Sequence, residues 1–276
     1  MRNRMLLVAL ALVLLLSCVS CAKSEEGGLF VEVLDVGQSD CTLIRQGDAV
    51  LMIDCGTLDA RSAVQFELDR RDIERIDILL LTHMHEDHIG NARMLLETYT
   101  VGALILPAAV SDTLEERLVL EAAEKNAVPM HTASAGDTFS LGQATLDVLY
   151  VASEADDLND TSIVSRLTFG KTKFLFTGDG EAAVERALLS LGADLDCDFL
   201  KAGHHGSKTS SSAELLAAVT PAHVAISCGK DNDYGFPHRE LLERFDEVGA
   251  TWHRTDKEGT LTYYSDGESI TFKGED

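Results

Sequence analysis

The spacing of apolar and polar positions divides the chain into short β-branched runs and longer amphipathic ones. Segments 29–36, 41–45 and 50–54 alternate or are β-branched and predict three strands, with Gln46-Gly47-Asp48 as the turn between the last two. Segment 58–71 predicts a helix, and 76–82 is the continuous apolar run that a strand buried on both faces requires. A helix over 90–97, a strand over 103–106 stopped by Pro107, and a helix over 114–126 follow. Four strands are predicted next, over 138–141, 145–151, 162–169 and 173–177, with turns at Gly142 and Gly170-Lys171. The last third alternates helix 182–191, strand 198–201, helix 213–219, strand 224–227 and helix 239–248, then strands near Thr251 and over 260–264. Strand clusters open both halves, and strand–helix alternation follows each. That order predicts an α/β protein with two facing sheets and helices outside, a four-layer αββα sandwich. No Gly/Ser linker interrupts 29–276, so one domain is expected there.

The first stretch obeys a different rule. Arg2 and Arg4 precede the 12 apolar residues 5–16, and Ser17, Cys18, Val19, Ser20 and Cys21 come next. A basic start, a short apolar run and small residues after it fit a secretory signal better than a membrane span of about 20 residues. Leu15-Leu16-Ser17-Cys18 resembles a bacterial lipobox, whose cysteine is lipidated and becomes the new N-terminus; Cys21 is the alternative. The expectation is a signal peptide over 1–17, a polar tether over 18–28, and a lipoprotein anchored outside the cytoplasmic membrane.

Composition narrows the partners. With 45% hydrophobic and 25% charged residues in 276, the chain is neither disordered nor collagen-like. Lys and Arg number 23 against 46 Asp and Glu, a net charge of −23. Proteins that grip nucleic acid through their surface carry the opposite sign, because phosphate contacts need Lys and Arg. Tight sequence-independent DNA binding is therefore not expected. Cys41, Cys55, Cys197 and Cys228 lie in or beside apolar runs without Cys-x-x-Cys spacing, and read as buried free thiols.

Five of the nine histidines fall in two clusters. His83, His85, Asp87 and His88 follow the buried run 76–82, and His204-His205 follow the strand at 198–201. A third strand end delivers Asp179. Imidazoles and carboxylates together suit divalent zinc or manganese. His83 and His85, two apart on an extended segment, can share one ion, while Asp87 and His88 face a second as the chain turns into a helix. Asp179 can bridge the two. Paired ions about 3.5–4 Å apart stabilise both attacking and leaving oxygens in a displacement at phosphorus.

His83-Met84-His85-Glu86-Asp87-His88 resembles the His-x-His-x-Asp-His signature of the metallo-β-lactamase superfamily. Leu34-Asp35-Val36-Gly37-Gln38-Ser39-Asp40, Ile53-Asp54-Cys55-Gly56, Asn159-Asp160-Thr161-Ser162 and Phe176-Thr177-Gly178-Asp179 narrow the likeness. So do Lys201-Ala202-Gly203-His204-His205-Gly206-Ser207 and Tyr234-Gly235-Phe236-Pro237-His238. Together they are similar to the hydrolase domain of ComEC-type competence proteins, over about 29–276. The resemblance implies the αββα metallo-β-lactamase sandwich. It also implies His83, His85 and Asp179 at one metal, with Asp87, His88, Asp179 and one histidine of the 204–205 pair at the other. His205 is the favoured ligand and His204 the neighbour that touches substrate phosphate or orients water, since adjacent residues on a strand end point oppositely.

Departures matter too. Most of the superfamily supplies a third histidine to the first metal, but only His131 lies in that interval here, and it reads as a surface or packing residue. Asn159 and Asp160 stand at the expected place, as ComEC-like members tend to have Asn there. Ser39 replaces a usual glycine, and Phe236 stands where a histidine often precedes Pro237. Asp35, Asp40 and Asp54 beside glycines are either partners behind the ligands or turn formers. Ser207, Lys208 and His238 are candidate substrate contacts.

The implied reaction is metal-assisted hydrolysis, with Asp87, Asp179 and His204 as catalytic residues and a hydroxide bridging two ions as nucleophile. A phosphodiester is the expected substrate: DNA, a cyclic nucleotide or an envelope polymer. β-Lactams fit less well. The alternative is a non-catalytic, lipid-tethered component of a DNA-uptake or envelope system.

Overall fold

Successive residues of a strand face opposite sides, and here that alternation sorts the apolar side chains into three layers. A computed structural model of the chain describes residues 27–109 and 111–274. Its first part runs β1 (Leu29–Val33), β2 (Thr42–Gln46), β3 (Ala49–Ile53), α1 (Arg61–Asp69), β4 (Arg75–Leu80), α2 (Glu86–Ile89), α3 (Ala92–Thr98), β5 (Thr100–Leu106), α4 (Leu114–Lys125) and β6 (Met130–Thr132). Four strands follow: β7 (Thr138–Leu141), β8 (Ala144–Tyr150), β9 (Val164–Phe169) and β10 (Thr172–Phe176). The remainder is α5 (Ala182–Ser190), β11 (Phe199–Lys201), α6 (Ala213–Val219), β12 (His223–Ile226), α7 (Arg239–Glu247), β13 (Thr251–Arg254), α8 (Thr255–Glu258), β14 (Leu261–Ser265) and β15 (Ile270–Gly274).

The strands form two mixed sheets, ordered β15-β14-β1-β2-β3-β4-β5-β6 and β13-β12-β11-β10-β9-β8-β7. Leu51 and Ile53 of β3 point inward to meet Phe174 and Phe176 of β10, and Leu146, Phe199 and Tyr263 close the space between the sheets. Met52, between Leu51 and Ile53, faces outward onto a layer with Val64 and Leu68 of α1 and Leu95 of α3. Leu175 likewise faces outward, with Val184, Leu188, Leu216 and Phe245 from the helices on the far side. This is the expected four-layer αββα arrangement.

The predicted elements recur with ends moved by a few residues, and three pieces, α2, α8 and β15, are new. The helix expected over 90–97 is α3, and the separate α2 begins at Glu86, within the histidine motif. β15 and α8 were not predicted, and β6 adds the sheet edge that carries His131. Exposed His131 meets Asp137 at 2.7 Å and takes no part in the histidine cluster, in line with its surface reading. Cys41, Cys55, Cys197 and Cys228 are free and buried. Burial pushes the Cys197 thiol up to about 12 and that of Cys228 to about 11, so neither is a ready nucleophile. The expected signal peptide, both candidate lipidation cysteines and the tether to residue 26 lie outside the described residues. Among the described residues no helix is long and apolar enough to cross a membrane.

Candidate metal centre

Parallel pairing of β3 with β4, of β10 with β11 and of β11 with β12 sends five strand ends to one edge of the sandwich. Asp54 follows β3, His83 follows β4, Asp179 follows β10, His204 and His205 follow β11, and Ser227 follows β12. The carboxyl ends of parallel strands are where open α/β sheets bind ligands, because the loops leaving them can all face one crevice. Short α2 then places Asp87 and His88 in its first turn, over the same crevice.

Asp87, His88, Asp179 and His205 each bring a nitrogen or oxygen within 4.8 Å of the others. His88 Nε2 lies 3.3 Å from Asp179 Oδ2, His205 Nε2 lies 3.4 Å from the same oxygen, and His205 Nε2 meets Asp87 Oδ2 at 3.1 Å. All but Asp87 are buried. Behind each histidine stands a carboxylate. His88 Nδ1 meets Asp54 at 2.7 Å, and His205 Nδ1 lies 3.3 Å from Asp40 and 3.2 Å from the Ser227 carbonyl. Thr82 donates to Asp54 from both its backbone N–H and its hydroxyl, while Lys201 donates to Asp40 at 2.8 Å. Such partners fix a ring's orientation and tautomer and leave the far nitrogen free to ligate.

Charge follows from the same contacts. Burial alone would lower the pKa of His88, but Asp179 and Asp54 outweigh it and raise it well above the usual histidine value. His205 rises in the same way against burial, through Asp179 and Asp40. Although burial opposes it, His205 and His88 hold Asp179 well below its ordinary carboxylate value and lower Asp87 as well. His83 behaves oppositely: burial and the neighbouring His88 depress it well below the ordinary value.

Not every sequence candidate joins the cluster. His83 Nε2 and His85 Nδ1 meet each other at 3.0 Å, and the hydroxyls of Thr82 and Ser162 flank His83 Nδ1. Among the described residues these two histidines form no group of three ligand atoms with Asp179. His204 Nε2 stands 4.0 Å from Asp179, and its Nδ1 meets Glu181 at 2.9 Å. Both imidazoles turn an Nε2 towards the same Asp179 oxygen, His205 at 3.4 Å and His204 at 4.0 Å, so the expected opposite pointing from a strand end does not describe them. β11 ends at Lys201, and both histidines sit in a tight turn with left-handed backbones, φ 48° and 52°. Two such residues in succession cost roughly 1–2 kcal/mol each, the kind of strain that persists where surrounding contacts fix a site. Gly178 needs its φ of 52° as well, since a Cβ there would come within 2.8 Å of Ser162 Oγ.

Asp40 and Asp54 stand behind ligands, whereas the carboxylate of exposed Asp35 accepts the Gly37 N–H in a turn. Asp160 accepts the Glu181 N–H, and buried Asn159 lines the crevice with its Oδ1 unpartnered. Ser207 is bonded to Thr209, and His238 Nδ1 accepts the Lys208 N–H, so this His238 nitrogen is engaged within the loop. Lys208 itself is exposed, 3.9 Å from Glu240. Sequence reasoning missed the roles of Thr82, Ser162, Lys201, Glu181 and Tyr234. Ser162, Lys201 and Tyr234 carried a signal as members of the motifs quoted above; Thr82 and Glu181 needed the fold.

The donor set fits a divalent ion. His88 Nε2 makes no well-aligned hydrogen bond and Asp179 Oδ1 has no partner, although both are buried at the cluster. Buried polar atoms left so cost about 1–3 kcal/mol each unless something else satisfies them. A cation between imidazole nitrogens and carboxylate oxygens would do so. The trio Asp40, Asp54 and His88 is equally close, but Lys201 and Thr82 already engage its carboxylates. Above the cluster opens a cleft of about 480 Å³ with Gln38, His85, Asn159, Tyr234 and Phe236 among its walls.

The profile of the metallo-beta-lactamase superfamily matches residues 34–230. The chain belongs to that superfamily. Its fold implies divalent metal ions and supports a metal-dependent hydrolase in general. Among curated proteins it is 31% identical over 261 residues to ComE operon protein 3 of Bacillus subtilis, covering 87% of this chain and 33% of that one. It is 32% identical over 240 residues to recombination protein 2 of Haemophilus influenzae, covering 84% and 28%. With competence protein ComA of Neisseria gonorrhoeae also similar, at 28% identity, these relatives support the ComEC-type branch of the superfamily. The chain spans about a third of the length of these relatives. Of solved structures, the metallo-beta-lactamase fold protein YhfI of Bacillus subtilis superposes with a TM-score of 0.61 at 13% identity, covering 86% of this chain and all of that one. CmlA, a diiron beta-hydroxylase from Streptomyces venezuelae, gives 0.58 at 16% identity over 86% of this chain and 54% of its own. At such identities these two superfamily likenesses speak for the fold alone.

Proposed function

We propose that this protein is a dinuclear metal-dependent phosphodiesterase or nuclease acting outside the cytoplasmic membrane. The observation that carries it is the meeting of Asp87, His88, Asp179 and His205 under an open cleft, with buried ligand atoms of His88 and Asp179 left unsatisfied. In this reading these four hold one ion. His83, His85 and Asp179 hold the other, once the direct contact between the two imidazoles opens. Zinc or manganese, when bound, supplies a Lewis acid and lowers the pKa of water towards ~7.

The chain's own residues do the rest. Asp54 and Asp40 orient His88 and His205 from behind. His204, held by Glu181, presents its Nε2 at the cleft wall, where it can donate to a phosphate oxygen or hold a water. Phe236 and Tyr234 form an apolar wall on the same side. The competence-protein relatives and the histidine pair favour a phosphodiester over a β-lactam. A lipid on Cys18, or on Cys21, would hold the protein at the membrane, where incoming DNA and wall phosphodiesters are within reach and cytosolic RNA is not. A net charge of −23 favours short or envelope phosphodiesters over long DNA.

The test is release of nitrophenol from bis-(nitrophenyl) phosphate by metal-free protein supplemented with zinc or manganese. Turnover that depends on the added ion supports the reading; metal-loaded protein without turnover favours a binding or assembly role. His205→Ala should lose an ion, while His204→Ala should keep both and lose rate. The reverse result exchanges their roles.

A further inference from the structure

One wall of the cleft carries two stacked aromatic rings that the chemistry of hydrolysis does not call on. Tyr234 and Phe236 lie 5.3 Å apart, centroid to centroid, with their planes 17° from parallel. Phe236 in turn sets its ring edge-on to His204, at 5.5 Å. One side of Tyr234 is thus covered by Phe236, yet the residue is 66% exposed, leaving its outer face to solvent. A large exposed aromatic costs hydration free energy and contributes nothing to the core.

The loop that presents it is built to hold it still. Asn232 donates to the carbonyls of Gly229 and Phe236 and accepts the Phe236 N–H, closing the segment on itself. Gly229 N–H donates to Gln38 Oε1, which ties the loop to the far side of the crevice. Gly235, at φ 73°, makes the reversal that brings the two rings over one another. A pre-stacked ring on a fixed loop binds a flat partner without first having to be ordered.

We infer that Tyr234 and Phe236 form a stacking platform for a nucleobase of the substrate, so that the preferred phosphodiester carries a base beside the scissile phosphate. The inference rests on the phosphodiesterase reading and chooses among its substrates. A base offers a π face of the size of these rings, and stacking accepts any base. A polyol phosphate has no planar group to place there. The route from platform to chemistry is short: the Tyr234–Phe236 stack touches His204, and His204 Nε2 is 4.0 Å from Asp179.

The decisive experiment compares thymidylyl-(3′,5′)-thymidine, the same compound with one base removed, and glycerophosphoglycerol, by product release from metal-supplemented protein. The wild type should prefer the base-bearing ester. Tyr234→Ala should reduce that preference about tenfold, mainly through KM, and Tyr234→Trp should restore it. An unchanged preference in Tyr234→Ala, or a wild type indifferent to the base, overturns the platform. Quenching of a 2-aminopurine dinucleotide measures stacking without turnover. Tyr234-dependent quenching in a protein that cleaves none of the three esters would sustain the platform and reject the phosphodiesterase reading. Quenching that ignores Tyr234 rejects the platform whatever the turnover.

Discussion

His88 and His205 each have a carboxylate at their back, whereas His83 and His85 have each other. The first pair is buried, raised in pKa by Asp54, Asp40 and Asp179, and aimed at a shared oxygen. In the second pair His83 Nε2 contacts His85 directly, and only hydroxyls reach His83 Nδ1. His88 follows the same strand, β4, as His83 and His85, so the strand does not explain the contrast. The supporting residues do, and they arrive from elsewhere in the sequence: Asp54 from the end of β3, Asp40 from before β2. In the proposed two-ion reading, one half of the centre is already organised for an ion, and the other half would have to separate its two rings to receive one.

The largest expected effect comes from the residue common to both halves. Asp179 is 2% exposed and its Oδ2 lies near His88, His204 and His205. Asp179→Asn keeps the shape and removes the charge that balances the ions. Phosphodiesterase turnover should fall about a thousandfold with the fold still cooperative, measured by nitrophenol release beside a thermal melt. Wild-type turnover at full metal content would remove Asp179 from the shared position.

Next come the carboxylates behind the organised pair. Asp54→Asn and Asp40→Asn should each weaken one ion's binding about 10–100-fold in a chelator competition, leaving the other ion little changed. Wild-type protein under mild chelation should then release its ions one after the other, the His83–His85 ion first. Lys201→Met is harsher. Lys201 is 3% exposed and hydrogen-bonded to Asp40, so its loss leaves a buried anion with His205 as its remaining cationic partner and should cost about 3–5 kcal/mol in a denaturant titration. Simultaneous release of both ions would erase the distinction between the halves.

How much of this could be read from the sequence divides along the same line. The sandwich was legible because alternation and continuous apolar runs mark strands with one or two buried faces, as at 50–54 and 76–82. The first histidine cluster and Asp179 were legible because ligand-type residues gather within a few positions after such runs. The Lys201–Asp40 pair was not, since its members are 161 positions apart and meet only when the two sheets face each other. The placing of His204 and His205 was not legible either: they were expected to point oppositely from a strand end, yet both approach Asp179, and nothing local announces two left-handed residues in a row. Tyr234 looks like any loop tyrosine until Phe236 is stacked beneath it.

A third, smaller effect is in pH, because the two halves titrate with opposite sign in metal-free protein. His88 and His205 have raised values, so the stability they give is complete below about 6.5 and is lost as pH rises through those values. His83 is depressed, so its contribution is present above about 6.5 and lost as pH falls from there towards its lowered value. Calorimetry in chelator should therefore give a Tm that peaks near pH 6.5 and declines by a few degrees on either side. His88→Gln should shrink the alkaline limb to the part that His205 supplies, and should soften the acid limb as well, because His88 helps to depress His83. A Tm that climbs steadily from pH 6.5 to 8.5 would mean that these imidazoles are not held as their surroundings imply.

The smallest effect expected is at Asp35, and it tests whether position behind a ligand, rather than an aspartate beside a glycine, makes the difference. Asp35, Asp40 and Asp54 are alike in sequence, each near a glycine at a strand end. In the fold Asp40 and Asp54 are buried against His205 and His88, while Asp35 is exposed and its carboxylate only accepts the Gly37 N–H at 3.3 Å. An exposed turn bond of that length contributes little, because water replaces it when it is lost. Asp35→Ala should thus shift stability by about 0.5 kcal/mol or less and leave both ions bound with unchanged order of release. The control is strict, since the same substitution at Asp40 or Asp54 removes the partner of a buried imidazole. If Asp35→Ala loosens an ion as much as Asp40→Asn does, the crevice extends to the end of β1. In that case the organised half of the centre has a third carboxylate that the turn conceals.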